Sequence, residues 1–565
     1  MEITVNKFCF TLTSTVVSAC LALTVLTCAP VAAQSPKPAA VISIANLDDT
    51  MADINYLVDA SGFGQMKFMI QTQIDHFLKG VDSTRPSGVL LYMDEGNEQP
   101  SALGFVPVED LDDLLDTMSG FAEVDEGDDY TTIITDDDKE ILIKLVGNHA
   151  FFTDKAEMFE RIPDAPPASL LGDLPTRFNV SARLFGQQIP KSLRDKAIST
   201  IRDAYEDQIE LFEDENGVQA ELQRKSHEIN MKQIEDIIQE TDQLVVGFVI
   251  DEEKKTISSE FEIIGTENST LAKRAAANMT PEKSRFGGFL LPGAAFTAIS
   301  RTKMIQEDID QYTQLSESGI DTIAKLINEE SDLSTEELDT VKKAMADLST
   351  AFLETLKDGA ADGGIVLDLA KGNINLAGGV LTTDPKKVEQ AAKDLAAEFE
   401  GKLAELGTVK LNSGAHKDVT FHTFSVNTPE ELDEMVDVFG EQIKIVIGIG
   451  QQETYFAAGS SPTELLTRLI DRNGAQDETP ATLGMYNIYI APIMEFVAAT
   501  QLDELGLVQK MADALAEGGR DRLQYELKPL KNGFSVRMDL QDGVLELIQV
   551  ATEAMSQPQG QGGNF

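Results

Sequence analysis

Residues 141–162 (ILIKLVGNHAFFTDKAEMFERI) and residues 443–470 (IKIVIGIGQQETYFAAGSSPTELLTRLI) read as the same structural unit written twice. Each runs strand, Gly-centred turn, strand, short amphipathic helix. A unit that recurs once, far along the chain, constrains the fold more than any local motif, because it implies two copies of one module. The elements around it recur in the same order.

In the first copy, AVISIA (40–45) is a short apolar strand, and residues 50–80 follow as an amphipathic helix broken at Ser61-Gly62-Phe63-Gly64. GVLLYMD (88–94) and ALGFVPV (102–108) are paired strands, and Glu109–Met118 is a helix with an acidic first turn, as the helix dipole favours. TTIIT (131–135), EILIKLV (140–146) and AFFT (150–153) alternate as strands, and Lys155–Arg161 is the short helix. Pro163–Pro175 is a surface connection before the strand RFNVSARLF (177–185). Residues 190–241 are long, acidic and helix-periodic, interrupted at Glu215-Asn216-Gly217. The hairpin 244–251/256–264 and a helix at Ser269–Ala277 close the copy.

In the second copy, GGFLLPGAAFTAIS (287–300) takes the place of the first strand. Residues 302–357 are helical, with Ser334 and Glu337 spaced as a capping box. The hairpin 364–370/373–381 precedes a helix capped by Asp384, with Pro385 in the favoured first position. Three strands (419–426, 442–449, 454–458) follow, with a helix starting at Thr428-Pro429-Glu430-Glu431 inserted among them, and Ser461-Pro462-Thr463-Glu464 starts the short helix. The strand 484–491, a helix to about Ala516, the hairpin 521–539 and a helix to about Met555 complete it.

The expected fold is α+β: two tandem modules, each a largely antiparallel β-sheet with long helices packed on one face. The expected boundaries are a signal peptide at 1–33, a linker at 34–39, module one at 40–281, module two at 285–556 and a low-complexity tail at 557–565.

Residues 1–33 read as a secretory signal: Lys7, an apolar run from Phe8 to Leu26, and the small-residue site Val31-Ala32-Ala33 before Gln34. Two alternatives stay open, an uncleaved N-terminal anchor and lipidation at Cys20 within Val17-Ser18-Ala19-Cys20. Cys9, Cys20 and Cys28 all lie in this segment, so a mature chain cut before Gln34 has no cysteine. That excludes disulfides, thiol nucleophiles and Cys-ligated metals, and it fits a bacterial periplasm or exterior. The Asn-x-Ser/Thr triplets at Asn179, Asn268 and Asn278 are then chance.

The formal net charge is −49, from 95 acidic and 46 basic residues. Such a surface repels nucleic acid and anionic lipid, and no basic stripe offsets it. A hydrophobic content of 42 % with regular periodicity argues for folded modules. No apolar run past the signal is long enough to span a membrane.

The chemical motifs dissolve on inspection. Gly448-Ile449-Gly450 lacks the third glycine of a dinucleotide fingerprint and is followed by a strand; the matching Gly147-Asn148 makes it a hairpin turn. His416, Asp418 and His422 could in principle hold zinc, but module one has no matching histidine. These two, with His76, His149 and His227, read as surface residues. Asp125–Asp129 and Asp136–Asp138 read as solvated acidic turns, with weak divalent binding as the alternative, since the EF-hand pattern is missing. Gly459-Ser460-Ser461-Pro462 is a helix cap, not a nucleophile elbow, and no P-loop or H-E-x-x-H motif occurs. No catalytic residue, metal ligand or cofactor is nominated. The long helices at 190–241 and 302–357 are expected to pack on their own sheets, with an apolar groove or a partner surface as the alternatives.

At GFVPVEDLDDLLDTM (104–118) the chain resembles exported bacterial proteins, common in planctomycetes, built from duplicated α+β modules. The resemblance rests on Val106-Pro107-Val108-Glu109-Asp110 leading into a Leu-rich helix; the second copy departs from it with Val380-Leu381-Thr382-Thr383-Asp384. It implies no activity and no site. The functional expectation is an exported, non-enzymatic binding or scaffolding protein of a bacterial envelope, with an unknown protein or apolar ligand as partner. The alternatives are a carrier of a lipid-like ligand between sheet and helices, and a metal-dependent enzyme with carboxylate ligands.

Overall fold

The computed structural model describes residues 37–556 except 65–66, 69–70, 73–77, 96–98, 121, 136–138, 211–216, 331–332, 371–372, 402–406, 429–435, 437–440, 474–478 and 500–506. The expected signal, the three cysteines, the C-terminal tail, Asp136–Asp138, Glu215-Asn216 and most of the insertion at 427–440 lie outside the described residues.

The chain is α+β, with a single 20-stranded sheet whose strand pairs are antiparallel throughout the described residues. In chain order the first strands are β1 (Ala40–Ile44), β2 (Ser87–Tyr92), β3 (Ser101–Pro107), β4 (Glu123–Glu126), β5 (Thr131–Ile134), β6 (Glu140–Val146), β7 (His149–Thr153), β8 (Val180–Phe185), β9 (Thr241–Asp251) and β10 (Thr256–Gly265). The second set is β11 (Phe296–Thr302), β12 (Ala361–Ala370), β13 (Asn373–Leu381), β14 (Gly407–His416), β15 (Val419–Asn427), β16 (Gln442–Ile449), β17 (Glu453–Gly459), β18 (Gly484–Tyr489), β19 (Arg522–Leu530) and β20 (Gly533–Gln541).

The spatial order of the first set is β4-β5-β6-β7-β3-β2-β1-β8-β9-β10. That of the second is β14-β15-β16-β17-β13-β12-β11-β18-β19-β20, the same order strand for strand. The two sets join where β10 pairs with β20, with Glu260 opposite Arg537 and Phe261 opposite Val536.

One local device occurs at matching places in both sets. Gly104 of β3 faces Phe152 of β7, and Gly378 of β13 faces Phe456 of β17. A Cβ on Gly104 would stand 2.0 Å from the Phe152 ring, and one on Gly378 2.1 Å from the Phe456 ring. In each case the ring lies over the bare glycine and covers its backbone, as an aromatic does over a strand glycine. Gly104→Val is therefore expected to destabilise the fold by about 1–3 kcal/mol through overpacking. The check is thermal denaturation beside Phe152→Leu/Gly104→Val, in which the smaller side chain should recover part of the loss.

The alternation of strand side chains separates two faces. One face carries short helices and two closed cores. Val41, Leu90, Leu103, Phe105 and Phe151 form the first, under Met158, Leu171 and Leu174. Ile299, Val366, Ala377, Val446 and Tyr455 form the second, under Leu465, Leu466 and Leu469 of the helix Pro462–Asn473. Phe286 and Phe289 complete it. The expected strand over 287–300 is thus a tight turn at Gly287–Phe289 followed by β11, because the two phenylalanines are needed as core plugs.

The other face carries the longer helices. Helix Gly217–Glu240 packs on Gln306–Glu330, that on Thr335–Asp358, and that on Pro385–Glu398. Lys343 bonds Asp394 at 2.5 Å and Lys387 bonds Glu354 at 2.6 Å across the last pair. Helix Pro385–Glu398 reaches the sheet at His422, opposite in strand alternation to the core residue Phe421. In the first set the matching helix is Leu111–Met118, which buries Leu114 and Leu115 against Ile133, Ile143 and Ala150. Its start is fixed by the Asp110 carboxylate, which accepts from the Asp112 and Asp113 amides. The Ser334–Glu337 capping box is present. Asp384, by contrast, stands at the N-cap without a side-chain cap bond.

Candidate functional site

Strands β8, β9, β10, β20, β19 and β18 lie side by side across the middle of the sheet. Gly247 fixes the faces: the Phe178 ring of the first closed core stands 2.3 Å from where its Cβ would be. Gly247 and its register partners therefore point to the short-helix face. That face is polar here. Arg177 donates to Glu262 at 2.5 Å and Glu260 at 3.3 Å, and Arg537 donates to Asp539 at 2.9 Å and Ser258 at 2.8 Å. Burial pushes the Glu260 carboxyl up, and Arg177 beside it opposes that.

The opposite side of the same strands is apolar. One register row runs Val180, Phe248, Ser259, Met538, Tyr525, Tyr486. The next runs Ala182, Val246, Phe261, Val536, Leu527, Gly484. Ile257, Ile263, Phe534 and Leu540 extend the tract along β10 and β20. These side chains are half-buried, unlike those of the closed cores. Two members of the first row are more open, Phe248 at 49 % and Tyr486 at 36 % exposed. Ser259 is the one hydroxyl among the aliphatic and aromatic groups between them, apart from the Tyr525 phenol, which burial pushes up. Helix Thr270–Asn278 packs on β10, β19 and β20 and is tied to the long-helix layer by Arg274–Asp308 at 2.6 Å and Lys273–Glu307 at 2.8 Å. Helix Ile490–Ala499, apolar almost throughout, has no buried residue.

Across these six strands one side of the sheet is thus apolar and only partly buried. Sequence reading identified the strands but not the tract, which forms only when β10 meets β20. The available signal was period-two alternation in 256–264 and 533–541, apolar on one side and charged on the other.

The other candidates fall elsewhere. Gly448-Ile449-Gly450 sits at the β16–β17 hairpin, with the Gly450 amide donating to the Glu453 carbonyl at 2.8 Å. Gly147, at φ +65°, holds the corresponding β6–β7 turn. His416 bonds Asp471 at 2.8 Å, while Asp418 accepts from Gln451 at 3.4 Å. His422 is not a surface residue: it is 1 % exposed, its Nδ1 accepts from the Asn412 amide at 3.2 Å, and burial lowers its pKa. His149 is likewise buried, in contact with Phe105 and Phe151. The His76 and His227 side chains lie outside the described residues. Asp125 belongs to β4 rather than to a turn. Ser461 is held by Asn375, which accepts from its amide at 2.8 Å. Among the described residues no group of three or more His, Cys, Asp or Glu side chains could hold a metal. A cleft of about 630 Å³ between the long helices is polar, lined by Lys232, Asp236, Arg274, Glu307, Asp308 and Gln311.

One buried acid stands apart. Asp53, on helix Leu47–Ala60, is 8 % exposed, and one carboxylate oxygen has no hydrogen-bond partner. Burial, with Glu252 and Asp49 nearby, pushes its pKa up to about 6 from 3.8. A folded pKa above the unfolded one means the stability it supports is complete below the unfolded value and is lost as pH rises through 6. Asp53→Asn is expected to equal the parent near pH 4 and to exceed it above pH 7 by up to about 3 kcal/mol. Urea denaturation at the two pH values checks this.

No protein-family model, curated protein or solved structure matches the chain. Among the described residues no helix is long and apolar enough to cross a membrane.

Proposed function

We propose that this chain is an exported, non-enzymatic binding protein of a bacterial envelope, built by tandem duplication, that carries an acyl chain on the apolar tract across its six central strands. The observation that carries the reading is the register row from Phe248 to Tyr486. The matched strand order of the two sets supports duplication, and the signal-like N-terminus and the resemblance at 104–118 support export from a bacterial cell. Six adjacent strands span roughly 24 Å at about 4.8 Å per step, longer than the ~15 Å that a lipid tail occupies in one leaflet of a ~30 Å hydrocarbon core. A full-length tail therefore fits across the tract. A methylene gains about 0.8 kcal/mol when fully buried and less when one side stays open, so roughly micromolar binding is expected after the entropy cost of association.

The test is native mass spectrometry of the mature protein purified from its own host. Adducts in the mass range of fatty acids or phospholipids, recovered as acyl lipid on solvent extraction, are expected. Preparations that are uniformly free of extractable acyl lipid, and that take up none from vesicles, would count against the proposal.

A further inference from the structure

The two outer edges of the sheet are β4 and β14, and neither has a second strand partner among the described residues. They occupy corresponding places in the two strand sets, yet their chemistry is opposite. Strand β4 is Glu-Val-Asp-Glu, short and acidic, with exposed carboxylates at Glu123, Asp125 and Glu126. Strand β14 contains no acid and carries Lys410. Its regular pairing is interrupted after Lys410, where the register shifts and Asn412 adopts φ +51°. The regular stretch Gly407–Lys410 is thus as long as β4.

The faces match as well. Val124 lies opposite Ile133, on the long-helix side, so Glu123 and Asp125 point to the short-helix side. Lys410 lies opposite Thr423, which shares the short-helix side with Phe421, so Val409 points to the long-helix side. Continuing the sheet from β14 of one molecule into β4 of another sets Lys410 beside Glu123 and Asp125 on one face, and Val409 beside Val124 on the other. Pairing like edges would instead oppose acid to acid at β4, or lysine to lysine at β14, which destabilises a strand pair.

We propose that this chain associates head to tail with further copies of itself, β14 of one molecule adding to β4 of the next. Such a contact is heterologous and does not close at two subunits. Four residues per strand make a small interface, so association is weak and driven by concentration. The net charge of −49 opposes it at low ionic strength, and screening of that long-range repulsion favours it near physiological salt.

Sedimentation of the mature chain in about 0.15 M salt, from about 1 to about 500 micromolar, tests this. The expected result is a weight-average mass that climbs past the dimer. Lys410→Glu alone, and Glu123→Lys with Asp125→Lys alone, should each return the chain to monomer. An equimolar mixture of the two variants should associate again, since their edges are complementary. Unchanged circular dichroism would show that the variants fold. A monomer throughout the range, a dimer that stops at two, or variants that associate as the parent does would each overturn the proposal. Neither outcome depends on whether the central tract binds lipid.

Discussion

Asp362→Ala is expected to destabilise the second half of the chain by about 3–5 kcal/mol, among the largest single losses available to it. Asp362 is the second residue of β12, and its side chain is fully buried. It accepts from Arg301 on the neighbouring strand β11 at 2.6 Å, from the Ser284 hydroxyl at 2.6 Å and from the Arg285 amide at 3.1 Å. Those last two bonds hold the segment that delivers Phe286 and Phe289 into the second core. Removing the carboxylate leaves Arg301 with Glu282 as its remaining ion-pair partner, and the Arg301 Nε is already buried without a hydrogen bond. Losing the buried one of two carboxylates, together with the acceptor of the Ser284 hydroxyl and the Arg285 amide, costs far more than a lost surface pair, which is worth at most about 1 kcal/mol. Asp362→Asn keeps the shape and some of the bonds, and should lose less. Urea denaturation followed by tyrosine fluorescence, with Lys254→Ala as the exposed-pair control, measures the difference.

Met538→Lys is expected to weaken binding of a sixteen-carbon fatty acid by about 30-fold or more, equivalent to about 2 kcal/mol, with little loss of stability. Met538 lies next to the β10–β20 seam, with Ser259 on one side and Tyr525 on the other, so any chain crossing the tract passes over it. It is half-buried, and a lysine there can direct its ammonium outward in the free protein but not beneath a bound hydrocarbon. Arg537→Met, one residue away, alters the opposite face and should leave the affinity within about twofold. Isothermal titration of parent and variants separates the two. Equal weakening by both would indicate a general loss of structure instead of a loss of contact.

Much of the fold was legible in the residues, because most strands bury one side and alternate accordingly. The strands missed are the two edges, β4 and β14. Glu-Val-Asp-Glu has one apolar residue, and Gly407–His416 is mostly polar and exposed, so neither shows the apolar alternation that marks a half-buried strand. The joining of β10 to β20 is a long-range pairing that no local pattern specifies. With it went the apolar tract, which belongs to six strands from both halves. His422 was misjudged for a related reason: polar residues are usually exposed, but alternation points this one toward helix Pro385–Glu398, which covers it. The hairpin at Gly448–Gly450 was readable because the same glycine turn recurs at Gly147-Asn148 between two apolar runs.

The most direct test is photo-crosslinking with a diazirine-bearing sixteen-carbon fatty acid, followed by peptide mapping. The expected labels fall on peptides from β9, β10, β18, β19 and β20, concentrated at Phe248, Phe261, Met538, Tyr525 and Tyr486, and they disappear in Met538→Lys. Labelling confined to other regions, or no labelling above that of a competitor-saturated control, would contradict the assignment of the central tract as the binding surface.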